Sequence, residues 1–305
     1  MDAPPESCRL CRRSHDLRDS HIVPSFVVKL IKGGPSGRLR FAESPDVPAQ
    51  DGIHGKLLCP GCEQVLSRKE RAVADFVRQC HLGEPPYLYG PDFAPFVLGV
   101  AWRVLAWEVQ RGNETDWIPR VVRAAREAEA TWRNALLSDN FESVSGALHA
   151  FILDSSGTPS ENMRRELPSN WNRYLDVAID STVASSMDPA TPGGAAVAVV
   201  YAKLGKLVTL AFIKMPNERR WKGTRIHREG ELNLGSIQLP ESFLRFMAER
   251  AGQTNERLRA MSNRQRERIG DRVVAAVGRG ESVPALDSLS RDIEMFGHEE
   301  VFRGR

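Results

Sequence analysis

Four of the five cysteines in this 305-residue chain fall in two pairs, Cys8-Arg9-Leu10-Cys11 and Cys59-Pro60-Gly61-Cys62. Two C-x-x-C pairs are a common way for a small segment to hold a tetrahedral zinc ion, each pair presenting two thiolates from one tight turn. Pro60 presets φ for such a turn and Gly61 accepts unusual backbone angles. The expectation is one structural Zn²⁺ on Cys8, Cys11, Cys59 and Cys62. Two disulfides fit less well. No apolar signal segment is evident, so the cytoplasm is the expected compartment, and thiols there stay reduced. Between the pairs lies Ser20-His21-Ile22-Val23-Pro24, followed by His54 and, directly after the second pair, Glu63. An imidazole titrating near neutrality can take a proton from water. His54 and Glu63 offer a nitrogen and an oxygen to a divalent cation, whereas the Ser20 hydroxyl is a poor ligand. Glu70 and Asp75 read as solvated helix carboxylates, and Cys80-His81 as ordinary helix-end residues.

These residues need elements to hold them. His21–Val23 reads as a short strand stopped by Pro24. Ser25 can cap a helix over Phe26–Ile31, which Gly33-Gly34-Pro35 ends. Gly33–Gly55 reads as a loop with one strand, Arg38–Phe41, and Glu63 to Cys80 as a helix. Phe96–Val109 is apolar on much of its circumference and predicts a buried helix, with a charged amphipathic helix over Pro119–Leu137. From Phe141 the pattern changes. Leu148–Leu153, Leu175–Ile179, Ala195–Tyr201 and Leu207–Ile213 read as strands of an antiparallel sheet, the last two joined through a turn over Ala202–Lys206. Ser185–Gly194 reads as a loop. Helices follow over Glu241–Ala251 and Asn255–Val277, and the chain after Gly280 reads as loosely ordered.

The expected fold class is α+β. The expected divisions are a zinc-bearing module over 1–81, a helical connector over 82–140, an α+β domain of antiparallel strands and helices over 141–280, and a tail over 281–305. Length permits two domains. No apolar run approaches the ~18–20 residues of a membrane span, so no membrane association is expected.

The run Cys8-x-x-Cys11, Ser20-His21-Ile22-Val23-Pro24, His54, Cys59-x-x-Cys62, Glu63 resembles the HNH endonuclease superfamily, whose ββα-metal, treble-clef fold carries zinc knuckles. The resemblance covers about the first 80 residues. It is to a branch in which Ser-His-Ile-x-Pro and Cys-Glu replace the usual Asp-His or His-His and Cys-His pairs. It implies His21 as general base, with Ser20, His54 and Glu63 at the positions that help hold a catalytic Mg²⁺ or Mn²⁺. It thus implies metal-dependent cleavage of nucleic acid, with DNA as the expected substrate and defence against foreign DNA as a role by analogy. The alternative is a non-catalytic zinc module that binds nucleic acid or a protein, with the C-terminal part as sensor or oligomerisation unit, for instance in a homodimer. The retained His21, His54 and Glu63 favour the enzyme; Ser20 favours the alternative.

Net charge is only +3, which by itself announces no nucleic-acid partner. Its distribution says more: Lys214 to Gly280 holds 15 Lys and Arg against 8 Asp and Glu. Arg219, Arg220, Lys222 and Arg225 surround Trp221, and basic residues interleaved with an aromatic suit a nucleic-acid strand. The plainer reading is a solvated loop.

Overall fold

The structure is a computed structural model. It describes residues 7–13, 16–32, 39–40, 46, 48–49, 52–153, 161–188, 195–215, 218–233, 235, 237–280 and 283–302. The chain is α+β, and its named sheets are antiparallel. Strand β1 (Arg18–His21) ends just before Ile22-Val23-Pro24, where proline removes a ladder donor. Helix α1 (Ser25–Lys32) follows. Two-residue strands β2 (Leu39–Arg40) and β3 (Pro48–Ala49) pair with each other. The rest of the expected Arg38–Phe41 strand and most of the Gly33–Gly55 loop lie outside the described residues.

Strand β4 (His54–Leu58) returns antiparallel to β1, pairing Arg18 with Leu58, Asp19 with Lys56, Ser20 with Gly55 and His21 with His54. The register skips Leu57, a bulge that re-aims the strand. The Leu57 carbonyl accepts from the Arg9 N–H at 2.9 Å and so ties the hairpin to the first cysteine pair. Helix α2 (Pro60–Leu82) then starts with proline in its first turn, where a missing N–H costs nothing. It ends at Gly83, whose φ of 79° closes the last turn onto the Gln79 and Cys80 carbonyls.

Strand β5 (Leu88–Tyr89) precedes helix α3 (Phe93–Gln110), which is buried on every side from Phe93 to Ala106. The all-round apolar sequence is the cause: such a helix has no face to give to water. Amphipathic helix α4 (Pro119–Ser138) packs beside it. Strand β6 (Leu148–Ile152), helices α5 (Glu161–Glu166) and α6 (Trp171–Val177), and strands β7 (Ile179–Asp188), β8 (Ala195–Leu204), β9 (Leu207–Lys214) and β10 (Gly230–Glu231) follow. The main sheet runs β6-β9-β8-β7, and β10 pairs with β5. Gly205, at φ 69°, and Lys206 make the two-residue β8–β9 turn.

Two readings of this stretch are corrected. Leu175 to Val177 is the end of α6, because Trp171, Tyr174 and Leu175 bury one helical face. Ser185 to Asp188 is not loop but the end of β7, paired with Ala195 to Ala198. Its polar sequence suits an edge strand with one partner and gives little hydrophobic signal.

The chain forms two discontinuous units. The first comprises 1–25, 53–152 and 179–238, hence the hairpin, α2, α3, α4 and the main sheet. The second comprises 26–52, 153–178 and 239–305. It contains α7 (Glu241–Arg259), α8 (Asn263–Gly278), α9 (Pro284–Phe296) and α10 (His298–Phe302). The single helix expected over Asn255–Val277 is two, because the chain turns extended at Ser262 (ψ 150°) while Met261 is buried. The segment after Gly280, expected to be loose, is helical and anchored. Asp292, fully buried, accepts from the Asn172 N–H at 2.7 Å, the Asn172 amide at 3.1 Å and Arg173 Nε at 2.8 Å. Burial raises its pKa against the pull of Arg173 and Asn172. Asp176 accepts from Ser288 Oγ at 2.6 Å and pairs with Arg291. Carboxylates this deep need hydrogen bonds and ion pairs of this kind to offset their burial.

Candidate metal centre and hairpin site

Two elements bring the cysteines together. The first pair sits in a turn that the Arg12 N–H closes onto the Cys8 carbonyl at 2.8 Å, with Arg12 at φ 63°. The second sits at the start of α2, with Cys59 in extended conformation as its N-cap and Cys62 in the first turn. All four sulfurs lie within 4.8 Å of one another. The Cys11 and Cys59 sulfurs are 3.9 Å apart, although the residues are 48 apart in sequence. The edge of a tetrahedron with 2.3 Å Zn–S bonds is about 3.8 Å. The Cys59 N–H points at Cys8 Sγ from 3.3 Å, the kind of contact that steadies a thiolate. Burial and the neighbouring sulfurs push the Cys62 thiol well up, a cost that a bound cation removes. The cluster therefore has the donors and spacing to hold a metal such as zinc. Cys80 lies apart from it, buried in α2 with its thiol pushed up to about 12 by burial.

The hairpin carries the histidines. His21 and His54 are cross-strand partners with ring centroids 4.1 Å apart and planes at 49°. Asp19 Oδ2 is 3.8 Å from His54 Nδ1. The two-residue period of a strand puts Asp19, His21, Lys56 and His54 on one face and Ser20 and Gly55 on the other. That second face is closed. Ser20 is fully buried, and a Cβ on Gly55 would lie 2.2 Å from Trp107 Cζ3, so only glycine fits under that ring. There Ser20 Oγ donates to Glu63 Oε2 at 2.7 Å.

Arg103 of α3 supports the hairpin from inside. It donates Nη1 to the His21 carbonyl at 3.0 Å, bonds the Gly99 carbonyl at 3.4 Å through Nε, and ion-pairs with Glu70 through Nη2. Glu70 is thus half of an inward ion pair rather than a solvated carboxylate. The structure brings His21 to His54 and Ser20 to Glu63. Among the described residues, the cysteines are the one group of three or more His, Cys, Asp or Glu whose ligand atoms lie within 4.8 Å of one another. The motif alone points to neither Asp19 nor Arg103. The strand period carries the signal for Asp19; Arg103 is 82 residues from His21 and carries none.

The basic segment is split. Arg219 and Arg220 lie on a 3-10 turn, and with Lys222 and Arg225 they are exposed. Trp221 is buried, packed edge-on against Phe212 at 4.9 Å and His149 at 6.3 Å. It anchors the loop, so the aromatic expected between the cations is not on the surface to stack on a base.

His149, itself buried, has Nδ1 2.8 Å from Thr224 Oγ1. Thr224 donates its own proton to the Trp221 carbonyl at 2.8 Å, so Nδ1 carries the imidazole proton. Burial, then the nearby Arg225, lowers the His149 pKa to about 4. The unfolded chain therefore binds a proton between about pH 6.5 and 4 that the folded one refuses, and stability falls as pH drops through that window. At about 1.4 kcal/mol per unit the loss reaches about 3 kcal/mol. Urea unfolding at pH 7 and pH 4.5 should show a smaller acid loss for His149→Gln than for wild type. Equal losses would remove His149 as the cause.

Comparisons of the chain with protein-family models, with curated proteins and with solved structures find no match. No helix among the described residues is long and apolar enough to cross a membrane.

Proposed function

We propose that the chain is a zinc-stapled, metal-dependent nucleic-acid endonuclease of the HNH type, acting on DNA. One observation carries this reading. Between the two cysteine pairs, β1 and β4 pair antiparallel across an excursion that holds α1, β2 and β3, His21 meets His54 across that pair, and α2 starts inside the second cysteine pair directly after β4. In hydrolysis, water adds to phosphorus, the His21 imidazole accepts its proton, and the bond from phosphorus to the leaving oxygen breaks, that oxygen keeping the bonding pair and taking a proton from solvent. A divalent ion, when bound, supplies positive charge for the phosphate and leaving oxygens. Arg103 fixes the His21 backbone, and the bulge at Leu57 locks the hairpin to the zinc turn. His54 and Glu63 stand at the positions that the resemblance gives to the metal. The deciding assay is incubation of supercoiled plasmid with purified protein and Mg²⁺ or Mn²⁺. Nicked or linear product is expected.

A non-catalytic module that binds nucleic acid or a protein is the second reading. It is favoured by Ser20, a neutral hydroxyl already committed to Glu63 where the family carries an acid or histidine.

The exposed cations give a further expectation under either nucleic-acid reading. Charge reversal of Arg219, Arg220, Lys222 and Arg225 together should weaken DNA binding. It should also flatten the salt dependence, by about one log unit per log salt for each phosphate that the variant no longer neutralises. Trp221→Phe should leave affinity unchanged, since the indole is internal. Unchanged affinity after charge reversal would show the four cations to be solvent-facing only.

A further inference from the structure

We propose that the outer edge of β7 is an interface through which two copies of this chain pair, antiparallel and centred on Val183, into a closed homodimer. The interface stands apart from the endonuclease reading and uses only the main sheet.

The two edges of that sheet are finished differently. At β6 the chain covers its own edge. The Ile226 N–H donates to the Leu148 carbonyl at 2.9 Å, and the Ala150 N–H to the Thr224 carbonyl at 2.8 Å. Beyond them the Asn233 side chain stands in for a strand: its amide donates to the Ile152 carbonyl at 2.8 Å, and its oxygen accepts from the Ile152 N–H at 3.0 Å. Asn233 reaches that position at φ 58°, which asparagine tolerates better than most residues. At β7 nothing comparable is present. The strand pairs with β8 from Ile179 to Asp188, and among the described residues no group bonds its outer backbone. An open edge is usually guarded by shortness, a bulge, or a lysine or proline. β7 is as long as β8, pairs with it without a register shift, and holds no Lys, Arg or Pro; its acids, Asp180 and Asp188, sit near its ends.

Alternation tells which groups are open. Leu148, Ala150 and Ile152 turn outward on β6; Ala150 pairs with Thr209, Thr209 with Ala202, and Ala202 with Ser181. Backbone direction alternates along each strand and from one ladder to the next, so Ser181, Val183 and Ser185 point their N–H and C=O groups away from β8.

The sequence of this edge names the occupant. Ser181-Thr182-Val183-Ala184-Ser185 has the same character read in either direction, which suits a second copy of itself. In a two-fold antiparallel pair outward residues meet outward residues, so the axis falls on a residue. On Val183, that residue meets its own copy, Ser181 meets the partner subunit's Ser185, and Asp180 meets the partner subunit's Ser186. On Ala184, Asp180 would face the partner subunit's Asp188 at both ends, and like charges directly opposite are destabilising. On Thr182 the ladder shortens, because Ser186 to Asp188 run past the start of the partner strand. Pairing uses up the open edge of each copy while β6 stays covered, so association stops at two.

The test is sedimentation velocity on the full-length, zinc-loaded protein. Wild type should sediment as a dimer. Ser185→Pro removes an outward N–H but none of the donors to β8, and should give monomer. Ser186→Asp, at an exposed position, sets an acid against the partner subunit's Asp180 and should raise the dimer dissociation constant about tenfold, whereas Ser186→Lys should lower it. Circular dichroism and zinc content check that each variant is folded; should Ser185→Pro fail that check, the two Ser186 variants decide alone. A monomeric wild type, assemblies larger than a dimer, a folded Ser185→Pro protein that still dimerises, or a dimer indifferent to both changes at Ser186 overturns the proposal.

Discussion

Cys59→Ala should yield protein that holds no zinc and fails to stay folded and soluble. What alanine removes is the thiol: the Cys59 sulfur stands 3.9 Å from that of Cys11, and all four sulfurs lie within 4.8 Å of one another. A structural zinc site is worth about 10–16 kcal/mol of apparent binding free energy in small zinc peptides. A whole domain is stable by only about 5–15 kcal/mol. Loss of one thiolate would therefore remove enough to unfold the first cysteine turn and the start of α2, which a shared metal would join across 48 residues of chain. Elemental analysis should find one zinc per chain in wild type and none in the variant, with the variant in the insoluble fraction. A soluble Cys59→Ala protein that keeps full zinc and melts with wild type would show that the four sulfurs do not share an ion.

His21→Ala should behave in the opposite way, losing activity while keeping fold and zinc. The hairpin holds position 21 through its backbone: the carbonyl accepts from Arg103, and alanine retains that carbonyl. On the endonuclease proposal, what disappears is the imidazole that would accept the proton of the attacking water, and loss of a general base typically costs about 10²–10⁴-fold in rate. Plasmid nicking with Mn²⁺ should fall by that factor, while zinc content and melting temperature stay near wild type. Equal cutting by wild type and variant would place the chemistry elsewhere. A variant that unfolds would reveal His21 as a structural residue.

Much of this architecture is legible in the amino-acid pattern, for local reasons. Paired cysteines in two turns announce a tetrahedral cluster because each C-x-x-C fixes two ligands by itself. A helix apolar on every side announces its burial, as α3 bears out from Phe93 to Ala106. Apolar runs announce the central strands, Val and Ala in β8 and Leu, Val, Phe and Ile in β9. The elements that escape are those whose local sequence is ambiguous. β7 is an edge strand of mixed polarity, and it is a strand because β8 offers it ten backbone partners. The helices after Gly280 owe their order to Asp292 and Ser288, which find Asn172, Arg173 and Asp176 more than 110 residues away.

The same division runs through the candidate site. The sequence by itself determines the ligand chemistry, the four thiols, two imidazoles and nearby carboxylates, because residue type fixes what a side chain can donate or accept. Only the tertiary structure decides which of them meet. Pairing of β1 with β4 sets His21 against His54, and strand alternation puts Asp19 on their side and Ser20 with Glu63 on the other. Trp221 is turned inward by Phe212 and His149, away from the cations that flank it in sequence. The reason is physical: composition specifies functional groups, but face, register and burial are set by partners distant in the chain, and these change with a single residue's shift.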